Sequence, residues 1–204
     1  MQKIKDDTRQ ILLQTAKEAF LEKGFKAVSM REISYKSGVG LSNIYNYFES
    51  KDEMLALVLQ PFLTAFNDMM TRHNDENSIT LDVFTSQDFQ RRTIEDFVQL
   101  IARYRKELRL LLCASHGSCF ENFRETLIEE NTRIGLEYIA LMGEKYPHVH
   151  SSISPFFIHI TCTWWVSLLE EIAVHEKLSH EEIENFIADY VCYGTAGWRA
   201  LMKA

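Results

Sequence analysis

The chain has 204 residues, 46% hydrophobic and 25% charged, with a formal net charge of −7 at pH 7. That is enough for one middling domain or a small domain joined to a larger one. It is too apolar for a disordered chain and too acidic overall for a protein that coats nucleic acid along its whole length. The polar start MQKIKDDTRQ is unlike a secretory leader, no run of eighteen apolar residues occurs, and Cys113, Cys119, Cys162 and Cys192 are too scattered for a disulfide framework. These features predict a cytoplasmic protein with reduced thiols and no membrane partner.

In chain order, Ile11, Leu12, Ala16, Ala19 and Phe20 recur at helical period, and Gly24 followed by Phe25 is a helix stop. Ser29 with Glu32 three residues on is a capping box, which starts a second helix near Met30; Gly38 ends it. A third, short helix is expected from about Leu41 to Tyr47, with Ile44 and Phe48 turned inward. Gly40, Leu41, Ser42, Asn43, Tyr45, Asn46 and Tyr47 are then left largely outside. Ser50 with Glu53 repeats the capping box and puts Lys51 in the first turn of a fourth helix, where dipole and charge both favour an anion. Helix, helix, tight glycine turn, helix is the helix-turn-helix arrangement, whose last helix lies in the major groove of DNA.

Charge supports the same reading. Residues 1–51 hold nine Lys and Arg against six Asp and Glu, a net of +3, so residues 52–204 carry −10. A basic first quarter on an acidic remainder fits a protein with one DNA-binding end, and so small a positive footprint favours two copies on one operator.

The run from Ala16 to Leu55, with AFLEKGF, VSMREIS and SGVGLSNIYNYFESKDEML, resembles the N-terminal domain of the TetR family of transcriptional regulators over roughly residues 8–60. Its most specific part is the order Gly38, Val39, Ile44, Tyr45, Phe48, Ser50 and Lys51. The resemblance implies that Ser29 and Lys51 bind phosphate, that Arg31 reaches a base edge from the second helix, and that Tyr45 and Tyr47 contact backbone or bases. Tyr47 stands where the family most often has His, and Gly40 and Leu41 stand where polar residues are common. Asn43 and Asn46 have the paired donor and acceptor that favour adenine, while Leu41 either touches a thymine methyl or packs on Tyr45, so A·T pairs are expected in the half-sites.

Beyond Lys51 the expected elements are a long connecting helix to about His73, bent or broken near Pro61, a loop at Asn74–Thr80, and helices over about 89–112, 119–145, 153–175 and 179–202, the last started by a third capping box at Ser179 and Glu182. The fold class is all-α: a helix-turn-helix domain at 1–50, a connecting helix at 51–73, and a larger helical bundle at 74–204. The segment PFFIHITCTWWVSLLEEIAV is apolar nearly all round, and Gly194, Ala196 and Gly197 permit close helix approach. The resemblance implies a homodimer through about 153–202, and a small-molecule effector of unstated identity.

Tyr104, His116, Phe120, Phe123, Tyr138, His159, Trp164 and Trp165 are eligible to line a ligand pocket and equally eligible as core. Cys113, His116 and Cys119 offer soft ligands at steps of three, but these drift around a helix and have no fourth partner, so no metal and no cofactor is expected. No nucleophile elbow, phosphate loop or HExxH motif is present, and no enzyme is expected. The leading expectation is a DNA-binding repressor released from its operator by a small molecule. Two alternatives stand beside it: a metal- or thiol-responsive sensor using Cys113, His116 and Cys119, and a ligand-independent DNA-binding partner protein of the same fold.

Overall fold

The computed structural model describes residues 2–75 and 78–204, with side chains from residue 5 onward. Among the described residues there is no strand, and the helices in order are α1 (Gln2–Lys23), α2 (Met30–Ser37), α3 (Leu41–Ile44), α4 (Lys51–His73), α5 (Asp82–Thr85), α6 (Gln87–Cys113), α7 (Phe123–Lys145), α8 (Pro155–Val174) and α9 (His180–Met202). They form two compact units, one of residues 1–64 with 106–123, the other of 65–105 with 124–204. This differs from a division near residue 50, because packing draws on chain that is distant in sequence. The first half of α4 buries Met54, Leu55, Val58, Leu59 and Phe62.

The end of α6 returns to the first unit for equally concrete reasons. Lys17 pairs with the buried Glu107 at 2.8 Å, Arg109 donates to the Leu21 carbonyl at 2.5 Å, and the Phe25 amide donates to the Ala114 carbonyl at 2.9 Å. Leu12, Ala16, Ala19 and Phe20 form the buried face of α1 as its periodicity predicts, whereas Ile11 is exposed. Gly24 and Gly38 both have left-handed backbone, φ 78° and 70°, and stop α1 and α2.

α4 runs through Pro61 without a break, where a bend or a break was expected. Proline removes one backbone donor there, and the residue is exposed, so the loss is confined to a single rung. A short α5 lies just beyond the expected Asn74–Thr80 loop, in chain to which no element was assigned; Glu76 and Asn77, at the centre of that loop, lie outside the described residues. α7 begins at Phe123 rather than Cys119, because the preceding turn is held by the buried Ser115 and Ser118 hydroxyls, which donate to the Leu111 and Ser115 carbonyls.

In the second unit, Ile139, Met142, Val149, Ile158 and Met202 form a core cluster onto which Tyr138, Cys162 and Trp198 pack. α6 leaves helical geometry at Tyr104, φ −128° and ψ 19°. The next residue, Arg105, donates to the carbonyls of Ile172 at 2.8 Å, Leu178 at 3.1 Å and His175. A guanidinium thus satisfies carbonyls at the end of α8 and in the following turn, where the helix dipole also favours a cation.

Candidate nucleic-acid interface and ligand cavity

The turn between α2 and α3 is locked locally. The Ser34 hydroxyl donates to the Val39 carbonyl at 2.7 Å, and the Val39 amide donates to the Ser37 hydroxyl at 3.3 Å. α3 proper spans four residues, and its turn continues through Tyr47, whose amide donates to the Ile44 carbonyl at 2.9 Å. Ile44 and Phe48 are buried, as their spacing requires. Gly40, Ser42, Asn43, Tyr45 and Asn46 are exposed, while Leu41 and Tyr47 are half-buried. Tyr45 is 53% exposed, which removes it from the core. The Asn46 amide donates to Asn43 Oδ1 at 3.1 Å, so the two side chains form one polar patch.

α2 presents Arg31 and, one turn on, Tyr35, which is 89% exposed. Sequence reasoning overlooked Tyr35, although its i+4 relation to Arg31 was there to be read. Ser29 caps α2 by accepting from the Glu32 amide at 3.1 Å, but Glu32 does not complete the box. Its carboxylate accepts from Lys23 at 2.6 Å and lies 3.2 Å from Lys36, and these contacts, Lys23 foremost, hold it below the usual carboxylate range. The Glu53 carboxylate likewise reaches past Ser50 to the Glu49 amide at 2.6 Å.

Lys51 is more constrained than a solvated first-turn lysine. Its ammonium donates to the carbonyls of Phe25 at 2.9 Å and Val28 at 2.8 Å and lies 3.9 Å above the Phe25 ring. Burial lowers its pKa, and the neighbouring Asp52 opposes that. An ammonium has three donors, so one remains for an anion.

A cavity of about 350 Å³ lies wholly within the second unit. Of the eight residues eligible from sequence, Tyr138 and Trp165 line it. Trp164 is exposed and meets Tyr190 and Tyr193 edge-on, Tyr104 sits at the α6 kink under Arg103, and His159 stacks on Phe156 with Nδ1 3.4 Å from the Thr132 hydroxyl. His116, Phe120 and Phe123 belong to the first unit. These six were chosen for aromatic or polar character in an apolar neighbourhood, a property that core and rim residues share. The remaining wall comes from His73, Phe84, Phe89, Asn131, Thr161, Cys162, Tyr190 and Trp198, among others, on six different helices. No local pattern links them.

Among the described residues no cluster of three His, Cys, Asp or Glu side chains is able to hold a metal, Cys113, His116 and Cys119 included. All four cysteines are thiols. Burial, followed by the Asp52 carboxylate beside it, raises the Cys119 pKa, which is opposite to the activation a redox-sensing thiol needs.

The outer faces of α8 and α9 expose Phe156, Phe157, Ile160, Trp164 and Tyr193, with Phe156 at 71% and Tyr193 at 67%. Beside them, a Cβ on Gly194 or Gly197 would meet nothing within 4 Å. By length and composition alone α8 is apolar enough to cross a bilayer, with a mean hydropathy of 1.2. Its inner side is nevertheless committed to its own unit through Ile158, Val166, Leu169, Ile172 and Ala173, and through Glu170, which accepts from Arg124 at 2.9 Å.

A helix-turn-helix unit whose first 51 residues are net positive, followed by a larger helical unit with an apolar cavity and an uncovered aromatic face, defines a two-unit helix-turn-helix protein. Residues 12–58 match the sequence model of the family described as bacterial regulatory proteins, tetR family. Over 55 residues the chain is 38% identical to the HTH-type transcriptional repressor KstR2 of Mycolicibacterium smegmatis, a match spanning 27% of each protein. The chain thus aligns with about a quarter of the length of that curated relative. Solved structures extend the likeness of fold to nearly the whole chain. NalD, the secondary repressor of the MexAB-OprM multidrug efflux pump in Pseudomonas aeruginosa, superposes with a TM-score of 0.64 at 16% identity, covering 95% of this chain and 96% of NalD. A TetR-like transcriptional regulator from Rhodococcus sp. RHA1 gives 0.61 at 18% identity, covering 93% and 96%. Residues 12–58 thus carry the sequence signature of the tetR-family DNA-binding region, and nearly the whole chain shares the fold of the solved TetR-like structures.

Proposed function

We propose that this protein is a sequence-specific DNA-binding transcriptional regulator that acts as a homodimer in the cytoplasm and represses transcription until a small molecule binds its second unit. The observation that carries the reading is the outward surface of α2 and α3. Arg31 and Tyr35 stand on α2, and the linked Asn43 and Asn46 with Tyr45 on α3 and the turn that continues it, within the first 51 residues, which carry a net +3 on an acidic chain. Ser29 and the remaining Lys51 donor supply phosphate contacts, Arg31, Asn43 and Asn46 read base edges, Ser42, Tyr45 and Tyr47 contact backbone or bases, and Gly40 and Leu41 allow close approach to a thymine methyl. The sense of regulation follows the relatives named as repressors.

A second copy is the proposed occupant of the aromatic face of α8 and α9, since two half-sites need two recognition surfaces about 34–36 Å apart or a multiple of that spacing. An effector that binds better to the DNA-free state weakens DNA binding, and DNA weakens effector binding by the same factor. The test is protection of DNA from the gene's own upstream region. Wild type is expected to protect two A·T-containing half-sites, and Asn43→Ala with Asn46→Ala to relax base preference at fixed positions at about 1–3 kcal/mol per lost contact. Uniform weakening across all sequences would show that these residues hold backbone and do not read bases.

A further inference from the structure

We propose that the cavity of the second unit takes an uncharged, ring-bearing molecule that offers a hydrogen-bond donor such as a hydroxyl, and turns away carboxylates and ammonium ions. The inference rests on the reading of this cavity as an effector site and adds the chemical class of the occupant. Three observations carry it. The walls are aromatic, with Phe84, Phe89, Tyr138, Trp165, Tyr190 and Trp198 around a space of about 350 Å³, a volume within the range of small-molecule sites. Among the described lining residues there is no Lys, Arg, Asp or Glu, so a charge entering the cavity sheds its water and finds no counter-charge.

The third observation is the direction of the polar groups. The Tyr138 hydroxyl donates to the Ser78 carbonyl at 3.2 Å, the Thr161 hydroxyl to the Ile158 carbonyl at 2.8 Å, and the Asn131 amide to the Leu127 carbonyl at 2.8 Å. Each spends a donor on the protein and keeps an acceptor oxygen. A ligand hydroxyl is able to donate to the Tyr138 or Thr161 oxygen, each of which has spent its only hydrogen, and a ligand with acceptors alone uses neither. The titratable lining groups agree. Burial raises the Tyr138 and Tyr190 hydroxyls to about 12, raises the Cys162 thiol, and lowers the His73 imidazole, leaving all four uncharged at neutral pH.

The experiment is calorimetric titration of the full-length protein at pH 7.5 with a matched series on one ring system: 2-naphthol, 2-methoxynaphthalene, 2-naphthoate and 2-naphthylmethylammonium. 2-Naphthol is expected to bind about fivefold to tenfold more tightly than the methyl ether, the value of one hydrogen bond. Both ions are expected to bind weaker than 2-naphthol by on the order of a hundredfold. Thr161→Val, which keeps shape and removes an acceptor, should narrow the gap between naphthol and ether while leaving the unfolding midpoint near wild type. Equal or tighter binding of either ion, equal binding of naphthol and ether, or no binding of any probe at millimolar concentration overturns the proposal. Selective naphthol binding that leaves affinity for the upstream DNA unchanged supports the ligand class and overturns the effector role.

Discussion

At Lys51, a proposed phosphate contact and an observed internal strap fall on one side chain. The sequence places it at a helix start, a position suited to phosphate, and the fold ties it to the Phe25 and Val28 carbonyls. Lys51→Ala should therefore do two separable things: lower unfolding stability by about 1–3 kcal/mol in denaturant titrations, by leaving those carbonyls unpaired, and lower the slope of log affinity against log salt by about one. Loss of stability with an unchanged salt slope would leave Lys51 as a strap alone. His73 presents a second titratable case. Its Nε2 lies 3.1 Å from Asp96 Oδ2, with Arg72 alongside and the Phe97 ring stacked upon it, and burial lowers its pKa below the usual 6.5 in spite of Asp96. The folded state thus binds this proton less readily than the unfolded chain. Its contribution to stability is present above about pH 6.5 and is lost as pH falls through the lowered folded value. His73→Gln should flatten the fall in melting temperature between pH 7 and pH 5 relative to wild type. An unchanged pH dependence would count against the burial argument.

Among the elements, helix ends were the most legible in sequence and the most instructive where they differ. Ser179 with Glu182 closes a full capping box, with contacts of 3.2 and 2.7 Å, whereas Glu32 and Glu53 are drawn to Lys23 and to the Glu49 amide. A box needs its Glu to have no better partner: Lys23 of α1 supplies one for Glu32, and the amide just before the cap supplies one for Glu53. Ser179→Ala should cost about 1 kcal/mol by loss of the cap, measured by thermal or denaturant unfolding. The glycine stops of α1 and α2 separate strain from packing. At Gly38 an added Cβ meets nothing within 4 Å, so Gly38→Ala should cost about 1–2 kcal/mol of backbone strain alone. At Gly24 the same atom would lie 3.1 Å from the Ala114 carbonyl oxygen, so Gly24→Ala should cost more than Gly38→Ala. The reverse order would mean that the α6 end moves aside easily.

For the molecule as a whole, the open question posed by α8 is what covers its outer side. Phe156, Ile160 and Trp164, beside Tyr193 of α9, make an aromatic patch of a kind that monomers rarely leave in water. With a second copy seated there, light scattering should report twice the 23.8 kDa chain mass. Trp164→Glu combined with Tyr193→Glu should shift that value to a monomer and weaken operator binding together with it. A charged pair that leaves the dimer intact would place the interface elsewhere.

What the sequence determined by itself is whatever depends on neighbours a few residues away: the helical class, the N-cap serines Ser29, Ser50 and Ser179, the glycine stops, and the outward positions Gly40, Ser42, Asn43, Tyr45 and Asn46, because a helix repeats every 3.6 residues and exposes its periodicity to inspection. Tertiary structure alone decided the return of residues 106–123 to the first unit, the capture of Lys51 and the membership of the cavity. His73, Asn131, Thr161, Tyr190 and Trp198 share a wall only because α4, α7, α8 and α9 pack around one space. Contacts between residues far apart in the chain are set by packing, and no short-range pattern encodes them.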